Sequence, residues 1–294
     1  MFRKIALILL LTTLLLATER RYPCSNCAVW NTPQKGFRIF GNTWYVGTHG
    51  LSAVLVTSDA GHVLIDAALP ESAPLIEANI RALGFRVEDV KLIVNSHAHF
   101  DHAGAIAELQ QRSGARVAAS PWTAAVMKAG AVPRDDPQFG IIDPIPAVAR
   151  VKILKDGQTL SVGPIQMTAR FTPGHTPGGT TWTWRSCENG RCLNLVYADS
   201  LSAVSKDGYR YTKRKENPHG EDFERSFAFL ESTPCDILVT PHPESSGLWT
   251  RLAQRETQPD AMVDSNACKV LAQNLRGQLQ KRLAKERAGT PGRR

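Results

Sequence analysis

One short segment of the sequence concentrates residues that can bind a metal ion. Between residues 95 and 104 the chain reads NSHAHFDHAG, which places four such residues within six positions: His97, His99, Asp101 and His102. Histidines two apart in an extended chain project to the same side, whereas Asp101 and His102 follow where the chain turns into a helix. Ligands that approach from two directions suit two adjacent ions, and imidazole with carboxylate favours zinc-like ions.

The residues on either side of this segment predict its place in the fold. The apolar run from Val90 to Val94 indicates a short buried strand, and a helical pattern covers 103–112. The metal-binding residues are therefore expected on the loop that leaves a strand, where α/β sheets usually carry their functional groups. Asp66 also ends an apolar stretch, and we expect this buried carboxylate to contact a histidine ligand.

Two later segments each add one histidine. Residues 172–179 read TPGHTPGG and place His175 in a turn whose glycines let the backbone approach a metal ion closely. His242 follows the predicted strand 237–239 within the sequence TPHP. Each segment alone is a weak signal, but both histidines lie at strand ends, as the first motif does.

In this order the segments resemble those of the metallo-β-lactamase superfamily, and of subclass B3 in particular. Residues 196–202 read VYADSLS, without the cysteine that other subclasses use as a zinc ligand, and the resemblance extends along nearly the whole chain. It implies two Zn²⁺ ions per chain, the first bound by His97, His99 and His175 and the second by Asp101, His102 and His242.

The resemblance also implies an activity. It indicates a zinc-dependent β-lactamase that hydrolyses the amide of penicillins, cephalosporins and carbapenems through a zinc-bound hydroxide, and so confers antibiotic resistance. Asp101 orients the hydroxide in that mechanism, and the ligand histidines complete the catalytic set: His97, His99, His175 and His242. Ser200 and Ser202 are implied to bind the substrate carboxylate. Trp30, Phe139 and Ile141 are expected to pack on the substrate, the last two from the long irregular loop 129–149.

A second reading is another hydrolase of the same fold, such as a glyoxalase II-type thioesterase or a lactonase. Those enzymes use a metal-bridging aspartate in the segment that holds Ser200 here. This chain has Asp199 one residue earlier, and a shift of one residue on a strand turns a side chain to the opposite face unless a bulge intervenes. A non-catalytic zinc-binding module is a third reading.

The order of predicted elements indicates the fold class. Short strands followed by helices occur twice along the chain, which predicts two sheets packed face to face with helices outside. We therefore expect an α/β fold, a four-layer αββα sandwich over residues 28–288, with the active site at the strand ends between the sheets. Residues 18–27 form an irregular lead, a long helix covers 260–287, and 289–294 are a basic tail.

Composition narrows the possible partners. The 294 residues are 43% hydrophobic and 21% charged, as in an ordinary globular protein. The net charge of +8 comes partly from the basic C-terminal region, which lacks the interleaved aromatic residues of a nucleic-acid module. We expect a monomer with a small-molecule β-lactam substrate and no nucleic-acid partner.

The N-terminus has the layout of a secretory signal peptide. Arg3 and Lys4 precede an apolar run from Ile5 to Leu16, which is short for a membrane span. We expect cleavage after Ala17, which removes residues 1–17 and leaves a periplasmic protein without a membrane anchor. An uncleaved N-terminal anchor is the alternative.

Export allows the cysteines to form disulfides. Cys187 and Cys192 flank an Asn-Gly hairpin turn and should face each other across two strands. Cys235 at the start of a strand and Cys268 in a late helix form a plausible second bridge. The partners of Cys24 and Cys27 stay open, between a local disulfide and a partly free pair.

Overall fold

A computed structural model describes residues 22–212 and 221–289 of the chain. The predicted signal peptide and nearly all of the basic tail lie outside these ranges. Within them, twelve strands form two sheets: β1 Phe37–Phe40, β2 Thr43–Tyr45, β3 Val54–Val56, β4 His62–Ile65, β5 Val90–Val94, β6 Arg116–Ala119, β7 Val151–Ile153, β8 Thr159–Val162, β9 Ile165–Phe171, β10 Thr180–Glu188, β11 Arg191–Tyr197 and β12 Ile237–Val239.

The α-helices in the described ranges cover the sheets and their edges. They are α1 Cys27–Trp30, α2 Ala73–Ala82, α3 Phe100–Ala103, α4 Ile106–Ser113, α5 Pro121–Ala129, α6 Asp222–Ser232, α7 Leu248–Gln254 and α8 Ala267–Arg287. Short 3-10 turns occur at Pro70–Ser72, Val87–Asp89 and Pro243–Ser246. None of the described helices combines the length and apolar character needed to cross a membrane.

Both sheets are mixed. The first runs in the order β1 to β7, antiparallel up to β4 and parallel from β4 to β7. The second has the order β12-β11-β10-β9-β8, with only the β11–β12 pair parallel. Strand β5 of the first sheet and strand β12 of the second both end at metal-binding segments. The two sheets therefore bring distant parts of the sequence to one edge.

Successive side chains along a strand point to opposite faces of the sheet, so each sheet contributes to two separate apolar layers. In β4, Ile65 faces the core between the sheets, whereas Leu64 faces the outer core with α2, α4 and α5. On the second sheet Trp182 and Tyr197 face the inner core, whereas Val196 packs in the outer core with α6 and α8. The predicted four-layer αββα sandwich is confirmed.

Two predicted helices differ in extent. The helix predicted over 103–112 begins only at Ile106, as α4, and the separate short helix α3 precedes it. Between the two helices the Gly104 amide donates to the Ala68 carbonyl. The helix predicted over 260–287 begins only at Ala267, where Asp264 accepts from the Asn266 amide and from Arg251. Helix α1 lies partly in the predicted irregular lead, and α7 has no counterpart in the sequence-based prediction.

Candidate metal centre and active site

The six predicted ligands converge at one edge of the two sheets. The ligand atoms of His97, His99 and His175 lie within 4.8 Å of one another, and so do those of His97, Asp101 and His102. His242 Nε2 lies 3.5 Å from Asp101 Oδ2, and its ring centre lies 4.9 Å from that of His102. The strand ends thus form two adjoining ligand groups with His97 next to both.

The elements explain this convergence. His97 and His99 lie in the loop that leaves β5, with His99 in extended conformation, while Asp101 and His102 lie in the short helix α3 that follows at once. The turn between β9 and β10 carries His175, and the residue after Pro241 beyond β12 is His242. Helix α3 is therefore what separates the approach of the second group from that of the first.

Each histidine of the first group is oriented through the ring nitrogen that faces away from the group. The outer contacts are His97 Nδ1 with Asp199 Oδ1 at 2.7 Å, His99 Nε2 with Asp136 Oδ2 at 3.0 Å, and His175 Nδ1 with the Ser202 carbonyl oxygen at 2.9 Å. An imidazole that donates its proton outward keeps the lone pair of its other nitrogen for a metal ion. The inward Nε2 of His97 is buried and has no hydrogen-bond partner among the described residues. These residues fit a metal ion at their centre.

Burial and neighbouring charges favour the metal-binding protonation states of His97, His175 and Asp101, whereas the pKa of His99 is shifted the opposite way. Burial lowers the pKa of His97 well below its usual range and that of His175 to about 3, so both rings are neutral at pH 7. Burial also lowers the pKa of His99, but the Asp136 carboxylate outweighs it and raises this pKa overall. Burial alone raises the pKa of Asp101, but His102 and His242 hold it well below its usual range.

Asp66 does not contact a histidine ligand, contrary to the expectation from the sequence. Its Oδ1 accepts from the Ser96 amide at 2.7 Å and from Asn95 Nδ2 at 2.8 Å. Its Oδ2 accepts from Ser96 Oγ at 2.6 Å and from the Tyr197 hydroxyl at 2.8 Å. Burial raises the pKa of Asp66 to about 6. Because donors occupy both oxygens, Asp66 holds the backbone that leads to His97 rather than the imidazole itself.

Asp199 is the carboxylate that contacts His97, and it does not bridge the two ligand groups. Its Oδ1 faces His97 Nδ1, on the side away from the metal site. Its Oδ2 lies against Gly179, where any side chain at position 179 would clash with it. Both oxygens are thus directed away from the space between the groups.

A cleft of about 420 Å³ opens over the ligand groups. Its walls include most of the predicted substrate-binding residues, namely Trp30, Ile141, Ser200 and Ser202. The Trp30 ring packs on His242, with ring centres 5.2 Å apart. Phe139, which was expected to pack on the substrate, is not among the lining residues; the cations of Arg134 and Lys206 lie over its ring. Ile142 lines the cleft from the same loop.

The N-terminal segment forms another wall of the cleft. Residues 22–26 line it, and the Tyr22 amide donates to Asp143 Oδ1 at 2.9 Å on the facing loop. The structure joins Cys24 to Cys27 at the base of this wall. It also joins Cys187 to Cys192 and Cys235 to Cys268, the two pairs expected from the sequence.

Sequence reasoning misses two residues of the 129–149 loop that contact the ligand histidines. Asp136 holds His99, and Gln138 Nε2 lies 3.4 Å from both His99 Nδ1 and His175 Nε2. The length of the loop indicates a function. It does not show which of its polar side chains turn inward, because the loop has no periodic pattern.

Comparison with known proteins identifies the family. Residues 46–189 match the profile of the metallo-β-lactamase superfamily. The structure of the Rm3 metallo-β-lactamase is 54% identical and superposes with a TM-score of 0.88, covering 90% of this chain and 99% of that one. MEM-A1, a subclass B3 metallo-β-lactamase isolated from a soil metagenome library, is 47% identical, with a TM-score of 0.87 over 89% of this chain and 100% of its own. The chain belongs to the metallo-β-lactamase superfamily, and the similarity to subclass B3 enzymes covers almost its entire described part.

Curated relatives are more distant and are matched only in part. A hydroxyacylglutathione hydrolase of Bradyrhizobium sp. (strain ORS 278) is 30% identical over 193 residues, which are 63% of this chain and 65% of that protein. A protein named as a probable metallo-hydrolase of Burkholderia pseudomallei (strain 1710b) is 32% identical over 119 residues, 38% of this chain and 36% of its own length. The chain therefore spans less than two thirds of these relatives.

Proposed function

We propose that this protein is a zinc-dependent β-lactamase of the B3 type that binds two Zn²⁺ ions and hydrolyses penicillins, cephalosporins and carbapenems. The observation that carries the proposal is the orientation of the first-group histidines. Each has its outer nitrogen engaged by an acceptor, and the second group, Asp101, His102 and His242, adjoins it. The 54% identity with a metallo-β-lactamase across nearly the whole of that enzyme supports the same substrate class.

The residues around the cleft have separate roles in catalysis and in substrate binding. Zinc bound by the two groups would lower the pKa of a bound water toward neutrality and would polarise the lactam carbonyl. Asp101, ionised and directed at His102 and His242, is placed to orient the attacking water. Ser200 and Ser202 lie on the cleft wall, where their hydroxyls can donate to the substrate carboxylate. Trp30 and Ile141 provide apolar walls.

The thioesterase or lactonase alternative depends on a metal-bridging aspartate. Asp199 is the candidate from the sequence, but its oxygens face His97 Nδ1 and Gly179. The partial similarity to hydroxyacylglutathione hydrolases is weaker and shorter than the similarity to the lactamases. The direction of Asp199 therefore favours β-lactam hydrolysis.

Export to the periplasm and a role in antibiotic resistance are part of this proposal. A β-lactamase protects a cell when it meets the drug outside the cytoplasm. The signal-like residues 1–17 and the six cysteines are consistent with an oxidising compartment.

Hydrolysis assays on the purified, zinc-loaded chain test the proposed activity. We expect a chromogenic cephalosporin to be hydrolysed, activity to be lost with a chelator, and activity to return when zinc is restored. His97→Ala should abolish hydrolysis. His49→Ala is the matched histidine control and should retain it, because the His49 ring stacks on Trp249 and does not line the cleft. Hydrolysis of a glutathione thioester without hydrolysis of the cephalosporin would overturn the proposal in favour of its alternative.

A further inference from the structure

A second cavity adjoins the cleft on the side of the long C-terminal helix. It has a volume of about 240 Å³ and shares Ser200, Ser202 and His242 with the cleft. Its other walls come from the turn after β12 and from one face of α8: Thr240, Pro241, Ser245, Leu271, Asn274, Leu275 and Gln278. The two serines therefore stand at the boundary between the cleft over the metal site and a cavity to which no role has been assigned.

Helical spacing explains why α8 contributes this face. Residues 271, 274, 275 and 278 recur at intervals of three and four, which places them on one side of a helix. Leu271 and Leu275 are buried in the outer core, whereas Asn274 and Gln278 are exposed toward solvent. The cavity thus has an apolar base and a rim of amide and hydroxyl groups.

Apart from the candidate metal ligand His242, the described residues that line the cavity have no titratable side chain. Among the described residues that line it, there is no aspartate, glutamate, lysine or arginine. The neighbouring Arg276 points elsewhere and pairs with Glu224 and Glu231 of α6. Helix α8 is also tied to the start of β12 by Cys235–Cys268, so this wall belongs to the rigid part of the fold. Such a lining suits a neutral substituent that can hydrogen-bond.

We propose that this cavity is a subsite for the substituent that cephalosporins and carbapenems carry next to the carboxylate-bearing ring carbon. The inference rests on the proposed β-lactamase function. If Ser200 and Ser202 bind the carboxylate, the adjacent ring carbon directs its substituent away from the metal site and into the cavity. Asn274 and Gln278 then hydrogen-bond that substituent. Penicillins have no extended group at this place and do not reach the amides.

Alanine variants test the subsite with a matched control. The quantity to measure is kcat/KM for a cephalosporin with a hydrogen-bonding substituent, divided by kcat/KM for a penicillin. Gln278→Ala and Asn274→Ala should each lower this ratio by about three- to tenfold, mainly through KM. Gln280→Ala is the control, because Gln280 is an exposed glutamine of the same helix that does not line the cavity. Ratios that match the control in both variants would overturn the inference.

A charge change gives a second, independent readout. Gln278→Glu should raise kcat/KM for a cephalosporin with a cationic substituent relative to one with a neutral substituent. This preference should weaken as ionic strength rises. Gln280→Glu makes the same change in net charge outside the cavity and should leave that preference as in the wild type. Equal effects of the two variants would contradict the subsite. Failure of the wild-type chain to hydrolyse any β-lactam would instead contradict the proposed function.

Discussion

Buried carboxylates orient two of the three histidines in the first ligand group. Asp199 faces His97 and Asp136 faces His99, and both aspartates are fully buried. A carboxylate that accepts from the outer nitrogen fixes the tautomer of the ring and makes the inward nitrogen a better donor to a metal ion. The affinity for zinc is therefore expected to depend on residues that never touch the metal.

Asp136→Asn should weaken zinc binding at the first group about 10- to 100-fold, because the amide retains the shape of the side chain but not its charge. Competition with a chromogenic chelator measures the affinity. Asp135→Asn is the control, since Asp135 is the adjacent aspartate and accepts from Trp122 Nε1 outside the site. If the two variants bind zinc equally well, Asp136 has no positioning role.

Elemental analysis should find two zinc ions per chain in the zinc-supplemented protein. His242→Ala should reduce that number toward one, because His242 belongs to the second group and leaves the first intact. His49→Ala should retain both ions. A value of one in the wild type, unchanged by His242→Ala, would rule out the two-metal assignment.

The paired change Ser200→Ala and Ser202→Ala should raise KM for β-lactams with little loss of zinc. The Ser202 carbonyl that accepts from His175 Nδ1 at 2.9 Å survives the substitution, and only the longer contact of Ser202 Oγ with the same nitrogen, at 3.2 Å, is lost. Each lost hydrogen bond to a carboxylate is worth about 1.5–3 kcal/mol, so the pair should raise KM roughly a hundredfold or more. An unchanged KM would remove the serines from the substrate site.

The Asp199→Asn variant does not by itself distinguish a β-lactamase from a thioesterase or lactonase with a metal-bridging aspartate. It should weaken zinc binding at His97, because the amide removes the negative charge that faces Nδ1, even though Asp199 is not a ligand. Zinc loss in this variant is therefore compatible with the β-lactamase function, and the serine variants carry the discrimination.

At the scale of elements, the disulfides constrain loops of different length. Cys187 and Cys192 are directly opposite in the β10–β11 hairpin, whose turn residues Asn189 and Gly190 both have positive φ. This turn favours the hairpin without the disulfide. Cys235–Cys268 spans 33 residues and attaches α8 to the start of β12.

Removal of Cys235–Cys268 should therefore destabilise the protein more than removal of Cys187–Cys192. Loop entropy gives upper values of about 4 kcal/mol for the longer loop and about 2 kcal/mol for the shorter one. Urea unfolding of the two double-serine variants, both zinc-free, measures the difference. The opposite order of stability would mean that the hairpin, not the attachment of α8, depends on its bridge.

At the scale of the whole molecule, export and oxidation should occur together. The chain expressed with its own N-terminus is expected in the periplasmic fraction, shortened by about 17 residues and containing three disulfides. Mass spectrometry of the non-reduced protein gives both results at once. Full-length chain in the membrane fraction would indicate an uncleaved anchor instead, and a chain without residues 1–17 should stay in the cytoplasm.

The sequence by itself determined the fold class and the six candidate ligands. The spacing of residues 97–102 is a property of neighbouring residues, and apolar runs such as Val90–Val94 and Ile237–Val239 reveal the strands that end at the ligands. Such short-range patterns report which side chains share a loop or a face.

Only the tertiary structure decided which distant groups meet those ligands. Asp136 is 37 residues from His99, Asp199 is 102 residues from His97, and no periodic pattern links either pair. The predicted contact between Asp66 and a ligand histidine is absent for the same reason, because Ser96 and Tyr197 donate to its carboxylate instead. The α8 cavity likewise exists because the packing of the second sheet brings Asn274 and Gln278 beside Ser202, and packing depends on the whole chain at once.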